Sequence, residues 1–256
     1  MQMETNEFEK ALKAQQKQIG LWVSLCSPIA AGVVAHAGYD WAVVDMEHTA
    51  NDYMSVLHQL QVFAASNTTA IVRPEWNDPV VVKRLMDIGV QGLLFPMIGS
   101  VEEAKKAVAA TRYPPKGMRG VAGVTRANKF GRVTDYVDRV EAETTIILQL
   151  ESADAIAQAE QIAAVDGVSG IFFGPADIAA DIGAAGGALD PAVWELVLPA
   201  AEKLIAMGMP VGTLVTDPKF ATELLHKGFT FVACGLDTLM LARAADAVLA
   251  QVKGEL

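Results

Sequence analysis

Cysteine is scarce in this chain. Cys26 and Cys234 are the only two in 256 residues, too few to staple a fold, and each lies in or beside an apolar run. A disulfide framework is excluded, and a reducing cytoplasm is the expected setting. Positive charge is short as well: 20 lysines and arginines face 30 acids, leaving a formal charge of −10. A field of that sign argues against nucleic acid and anionic membrane as partners, and the few cations are scattered. Nor does the acidic start, Met1 to Glu9, show the basic-then-apolar order of a secretory signal. One uncharged stretch of 21 residues, Ile19 to Tyr39, is long enough for a membrane span. Ser24, Ser27, Pro28 and Gly32 instead break it into strand, turn and helix start.

Two catalytic devices are missing too. None of the 12 lysines falls inside a run that reads as a strand, where a desolvated Schiff-base lysine is expected. No serine, cysteine or threonine sits in the strand-to-helix elbow of a hydrolase nucleophile.

Apolar sequence, in contrast, makes up 52% of the chain, in short continuous runs that suit strands covered on both faces. Strands are predicted at Ile19–Leu25, Trp41–Asp45, Thr69–Val72, Gly92–Phe95, Thr145–Leu150, Gly170–Phe173, Val211–Val215 and Phe229–Cys234. Between them apolar residues recur at helical spacing, as in Val80, Val81, Leu85 and Ile88. Ser27-Pro28, Asp78-Pro79, Asp190-Pro191 and Asp217-Pro218 each place a capping side chain before a residue with no N–H to lose. Gly38, Gly89, Gly208 and Gly228 read as helix ends. Eight β-then-α units in a length close to the ~250 residues of α/β barrels predict one (β/α)8 TIM-barrel domain over residues 1–256. An open doubly wound sheet is the alternative. The irregular stretch Tyr113 to Gly131 lies between the fourth and fifth strands and is expected on the active face. The Gly183 to Gly187 patch reads as a loop and does not fit a dinucleotide fingerprint.

Several strands run out into charge. Asp45-Met46-Glu47-His48 follows the second, Arg73 the third, Glu151 the fifth and Gly174-Pro175-Ala176-Asp177 the sixth. A charge placed where a buried strand stops costs desolvation energy, and four of them read as a site on a barrel rim. Glu151 and Asp177 are each readable as helix N-cap acids. As a pair on neighbouring strands they make a hard, oxygen-rich site suited to Mg²⁺ or Mn²⁺. Arg73 is either a core ion-pair partner or the group that holds an anionic substrate and steadies an oxyanion. His48, with Asp45 and Glu47 beside it, is a candidate general base. Such a set abstracts a proton next to a carbonyl while a cation holds the enolate.

At Asp45-Met46-Glu47-His48, Val72-Arg73-Pro74, Arg112-Tyr113-Pro114-Pro115, Gly117-Met118-Arg119-Gly120-Val121, Gln149-Leu150-Glu151 and Gly174-Pro175-Ala176-Asp177, the chain resembles the class II pyruvate aldolases of the HpcH/HpaI family. Its members include 4-hydroxy-2-oxoheptanedioate and 2-dehydro-3-deoxyglucarate aldolases. The resemblance runs from Ile19 to Ala245. It implies a divalent metal (Mg²⁺, Mn²⁺ or Co²⁺) held by Glu151 and Asp177. Pyruvate is then contacted by Gln149 and the backbone at Ala176, within the Gly174 to Asp177 segment. Arg73 would stabilise the enolate, His48 would serve as acid and base, and Asp87 would raise the basicity of that histidine. Asp87 lies near the end of a helix running away from the active face, so either that helix ends elsewhere or Asp87 serves a neighbouring subunit's site; Asp45 is the local alternative partner for His48. The family also implies a homohexamer, a trimer of dimers with the C-terminal helix exchanged between subunits. Thr125 to Gly131 looks more like the sugar-acid aldolases. A citrate-lyase-like or malyl-CoA-lyase-like enzyme and a non-catalytic oxo-acid-binding barrel are the rival readings, the lyases lacking a basic cluster for nucleotide phosphates.

Overall fold

Eight parallel strands hydrogen-bond in chain order and close on themselves, so the (β/α)8 barrel expected from the sequence is the fold. The computed structural model describes residues 1–255. The strands are β1 (Gln18–Val23), β2 (Trp41–Asp45), β3 (Thr69–Arg73), β4 (Gly92–Phe95), β5 (Thr145–Leu150), β6 (Gly170–Phe173), β7 (Val211–Leu214) and β8 (Phe231–Leu236). Four keep their predicted limits. β3 takes in Arg73, and β8 is displaced two residues towards the C-terminus.

The helices are α1 (Glu7–Lys13), α2 (Pro28–Ala35), α3 (Tyr53–Phe63), α4 (Pro79–Asp87), α5 (Val101–Thr111) and α6 (Tyr136–Arg139). There follow α7 (Ala153–Ala157), α8 (Ala159–Ala163), α9 (Pro175–Asp181), α10 (Pro191–Ala206), α11 (Pro218–His226) and α12 (Asp237–Gly254). Ser27, Asp78, Asp190 and Asp217 cap α2, α4, α10 and α11 as their sequence predicts, each accepting from a first-turn backbone N–H. Gly38, Gly89, Gly208 and Gly228 carry the left-handed φ that lets the chain turn back after a helix.

Alternate residues of each strand face opposite ways, so there are two cores. The outward set packs beneath the helices. The inward set fills the barrel, and its aromatics form a connected column: Trp41 and Phe231 (ring centroids 5.7 Å apart), Phe231 and Phe172 (6.3 Å), Phe172 and Trp22 (5.6 Å). Gly20, Gly92 and Gly212 make this possible, because a Cβ at those positions would overlap Trp41, Ile71 and Phe231 respectively.

One helix beyond those expected precedes β1. α1 plugs the N-terminal end of the barrel with buried Phe8 and Leu12, and Phe8 stacks 5.4 Å from Trp41. Asn6 anchors it by capping Glu9 N and donating from Nδ2 to Gln91 O, Glu143 O and Thr145 Oγ1.

The Tyr113 to Gly131 stretch does not lie on the active face. It follows α5 rather than a strand, and a barrel helix returns the chain to the opposite end. There Ala127 N donates to Asp87 O (3.1 Å), and Thr134 N donates to Met1 O (3.2 Å).

α12 is tied down only at its root. Asp237 is buried and accepts from Ser24 N (2.9 Å) and Leu25 N (3.1 Å). From Met240 onward the helix is exposed, including Leu241, Val248, Leu249 and Val252. Among the described residues no helix is long and apolar enough to cross a membrane.

Gly212→Ala puts a methyl into the Phe231 ring, an overpacking expected to cost about 1–3 kcal/mol. Thermal unfolding should show the midpoint fall by several degrees, and an unchanged midpoint would mean the column is looser than described.

Candidate active site

The carboxyl ends of the strands surround a cavity of about 500 Å³. Asp45, His48, Arg73, Gln149, Gly174, Pro175, Ala176 and Asp177 all line it, so eight of the residues singled out in the sequence converge. Trp22, Phe172, Leu214 and Leu236 give it an apolar wall.

Asp45 and Arg73 are the last residues of adjacent strands and sit opposite one another in the β2–β3 register. Asp45 accepts from Arg73 Nε (2.7 Å) and Nη2 (2.8 Å), a bidentate pair that is almost wholly buried. Arg73 Nη1 lies 2.6 Å from Glu47 Oε2, and the guanidinium sits 5.0 Å over the Trp22 ring. Burial pushes the Glu47 carboxyl above its usual range, while Arg73 and His48 pull it back. In this structure Asp45 pairs with Arg73 and not with His48. The acid within ion-pair distance of His48 is Glu47, with Nε2 and Oε2 3.8 Å apart and the imidazole 66% exposed.

Glu151 stands just past β5, two residues after Gln149 and on the same inward side. It accepts from Gln149 Nε2 (2.6 Å) and from the backbone N of Met97 (2.7 Å). Burial pushes its carboxyl up to about 8, the negative charges of Asp177 and Glu47 push the same way, and the Met97 N–H opposes them. Asp177 is not on a strand end. Gly174 and Pro175 start α9 immediately after β6, so Asp177 reaches the site from the first helical turn. Gly174 leaves room for this meeting, since a Cβ there would press on Glu151 and Gln149.

Two carboxyl groups held against one another, with the proton affinity of Glu151 raised, are a donor pair suited to a hard divalent cation. Among the described residues no group of three or more histidines, cysteines and acids is arranged to hold a metal ion. A cation at this pair would keep coordination positions free for a ligand or water.

Asp87 is elsewhere. It ends α4 at the opposite end of the barrel and accepts from Arg119 Nη2 (2.9 Å), so in this chain it is not brought to His48. Thr125 to Gly131 lies at that same far end. Ala188 and Leu189, from the short turn that follows the Gly183 to Gly187 loop, also line the cavity and are not among the residues expected there. The glycine-rich patch brings that turn back over the site, and its only sequence signal was its position after the sixth strand.

Residues 18–244 match the model of a family described as HpcH/HpaI aldolase/citrate lyase. A Rhizobium etli protein named pyruvate aldolase is 45% identical over 251 residues, covering 98% of this chain and 99% of its own. An Escherichia coli 4-hydroxy-2-oxo-heptane-1,7-dioate aldolase is 43% identical over 247 residues, with coverage of 96% and 94%. A crystal structure of a family protein from Burkholderia cenocepacia has a TM-score of 0.93 and 37% identity, and covers 97% of this chain and 100% of that one.

Glu151 makes stability depend on pH. Below its ordinary 4.5 it is protonated whether the chain is folded or not; between there and about 8 only the unfolded chain ionises it, so stability falls as pH rises. Without added metal, the melting temperature of the wild type should drop relative to Glu151→Gln from pH 5 to pH 8. Parallel curves would show that Glu151 is not held in this way.

Proposed function

Because the chain belongs to the HpcH/HpaI aldolase/citrate lyase family, we propose that it is a divalent-metal-dependent aldolase. It reversibly cleaves a 4-hydroxy-2-oxo acid to pyruvate and an aldehyde. The observation that carries this reading is that Arg73, His48 and Asp177 line one cavity, with Glu151 held against Asp177 beside it.

Gln149 and the Gly174 to Asp177 backbone hold the oxo-acid end of the substrate. His48, exposed at the mouth, takes the proton of the 4-hydroxyl group. The C3–C4 bond then breaks, its electron pair moving into the oxo acid as an enolate while the hydroxyl carbon leaves as the aldehyde. Arg73, fixed by Asp45 and Glu47, turns its remaining N–H groups towards the enolate oxygen. Return of a proton to C3 gives pyruvate. A divalent cation (Mg²⁺, Mn²⁺ or Co²⁺) held by Glu151 and Asp177 would polarise the 2-oxo group and share the enolate charge.

Cleavage of a coenzyme A thioester is less well supported. Arg73 is the one lysine or arginine lining the cavity among the described residues, and two carboxylates already face it. The aldehyde half is proposed to be a hydroxy-oxo dicarboxylate fragment, as the name of the Escherichia coli relative suggests, or a sugar-acid fragment.

The protein is also proposed to act in the cytoplasm as a homohexamer, a trimer of dimers that exchange α12. The support is the row of exposed apolar residues on that helix, which its own barrel does not cover. Asp87 would then reach His48 of another copy.

Chelator-treated protein should release no pyruvate and recover with Mg²⁺, Mn²⁺ or Co²⁺; full activity after chelation, or substrate trapped by borohydride, refutes the mechanism. Light scattering at micromolar concentration should give a mass several times 27.2 kDa. A fully active monomer would dispose of the assembly and of any role for Asp87 in a neighbouring site.

A further inference from the structure

We propose that Glu47 is a positioning residue that links Arg73 to His48, so that the group holding the enolate and the group moving the proton keep a fixed relation. The inference rests on the aldolase reading and adds a residue to it.

Asp45 alone neutralises Arg73, with both of its oxygens hydrogen-bonded to the guanidinium. A second buried carboxylate on the same cation is surplus negative charge, and burying it costs free energy that the ion pair does not need to spend. Glu47 is that second carboxylate, its side chain only 11% exposed. A single oxygen, Oε2, lies 2.6 Å from Arg73 Nη1 and 3.8 Å from His48 Nε2. It makes no hydrogen bond of good geometry, so it is free to accept one when His48 turns inward or takes up a proton.

The backbone is built to keep this oxygen in place. Glu47 N donates to Asp45 Oδ1 (3.0 Å), while Thr49 Oγ1 and Asn51 Nδ2 (2.7 Å) both donate to Asp45 O. The turn that carries Glu47 and His48 is thus locked to the residue that locks Arg73. Besides these neighbours, Asp177 also acts on the Glu47 carboxyl, so Glu47 stands where the acid pair, the arginine and the histidine meet. With His48 carrying the substrate's proton, Glu47 offsets the imidazolium charge. On the other side it lies against Nη1 of Arg73.

The test compares Glu47→Gln, which keeps the shape and removes the charge, with Glu47→Asp, which keeps the charge and shortens the arm. Both are assayed at saturating Mn²⁺ for cleavage and for deuterium exchange into the methyl group of pyruvate, with Mn²⁺ affinity measured by calorimetry. Glu47→Gln should lower kcat about 10- to 100-fold with KM within threefold and Mn²⁺ affinity unchanged, and Glu47→Asp should recover part of the loss. Wild-type kcat in Glu47→Gln would overturn the proposal, as would a loss of Mn²⁺ affinity in step with rate, which would make Glu47 part of the metal site. Should Glu47→Gln not fold, Glu47→Asp decides: lowered kcat at unchanged KM supports the link, and wild-type kcat refutes it. Wild-type protein with no chelator-sensitive pyruvate release overturns the aldolase reading itself, whereas an active wild type beside an indifferent Glu47→Gln overturns only this inference.

Discussion

A guanidinium can stay buried at the rim of a barrel only if its charge is answered there, and the answer given to Arg73 organises much of the site. Asp45 meets it from the neighbouring strand because the parallel register of β2 and β3 sets their last residues side by side. A slip of one residue would turn Arg73 out of the barrel and leave Asp45 buried without a partner. The same Asp45 uses its backbone carbonyl to hold the turn bearing Glu47 and His48. Trp22, at the top of the aromatic column, supports the other face of the guanidinium.

The remaining charge is of one sign. Asp45, Glu47, Glu151 and Asp177 gather round a single arginine, and the folded chain answers only part of that excess by pushing Glu151 towards its neutral form. The Met97 N–H and the Gln149 amide orient the Glu151 carboxylate without cancelling its charge. This leftover negative charge is the physical reason for assigning a divalent cation to the proposed reaction, and it lies on the same side of the cavity as Gln149 and Gly174.

Much of this was legible in the sequence. Apolar runs broken by capped helices specify the barrel, and charges at the ends of such runs mark its active rim. What misled was proximity along the chain. His48 lies three residues from Asp45, yet the acid's partner is Arg73, 28 positions away across a strand pair. Such pairing is invisible until register is known. The Tyr113 to Gly131 stretch lies on the far face because α5 reverses the chain before it, and its position between two strands does not carry that reversal. α1 escaped notice because a seven-residue helix has too short a period to stand out, although Asn6, Phe8 and Leu12 held its signal. The exposed side of α12 was legible as surplus apolar surface, since no single barrel needs a helix that is greasy on most sides.

The glycines inside the barrel have a consequence for how this chain can change. Gly20 with Trp41, Gly92 with Ile71 and Gly212 with Phe231 each share one volume, in which one partner has no side chain so that the other can be large. Neither member of such a couple is free to vary alone: enlargement of the glycine clashes, and truncation of its partner leaves a hole in a layered interior. Their effects on stability are non-additive by construction. Drift or redesign of the barrel floor must therefore move through compensated pairs, and a survey of single substitutions would score as forbidden the very positions where a double exchange is open.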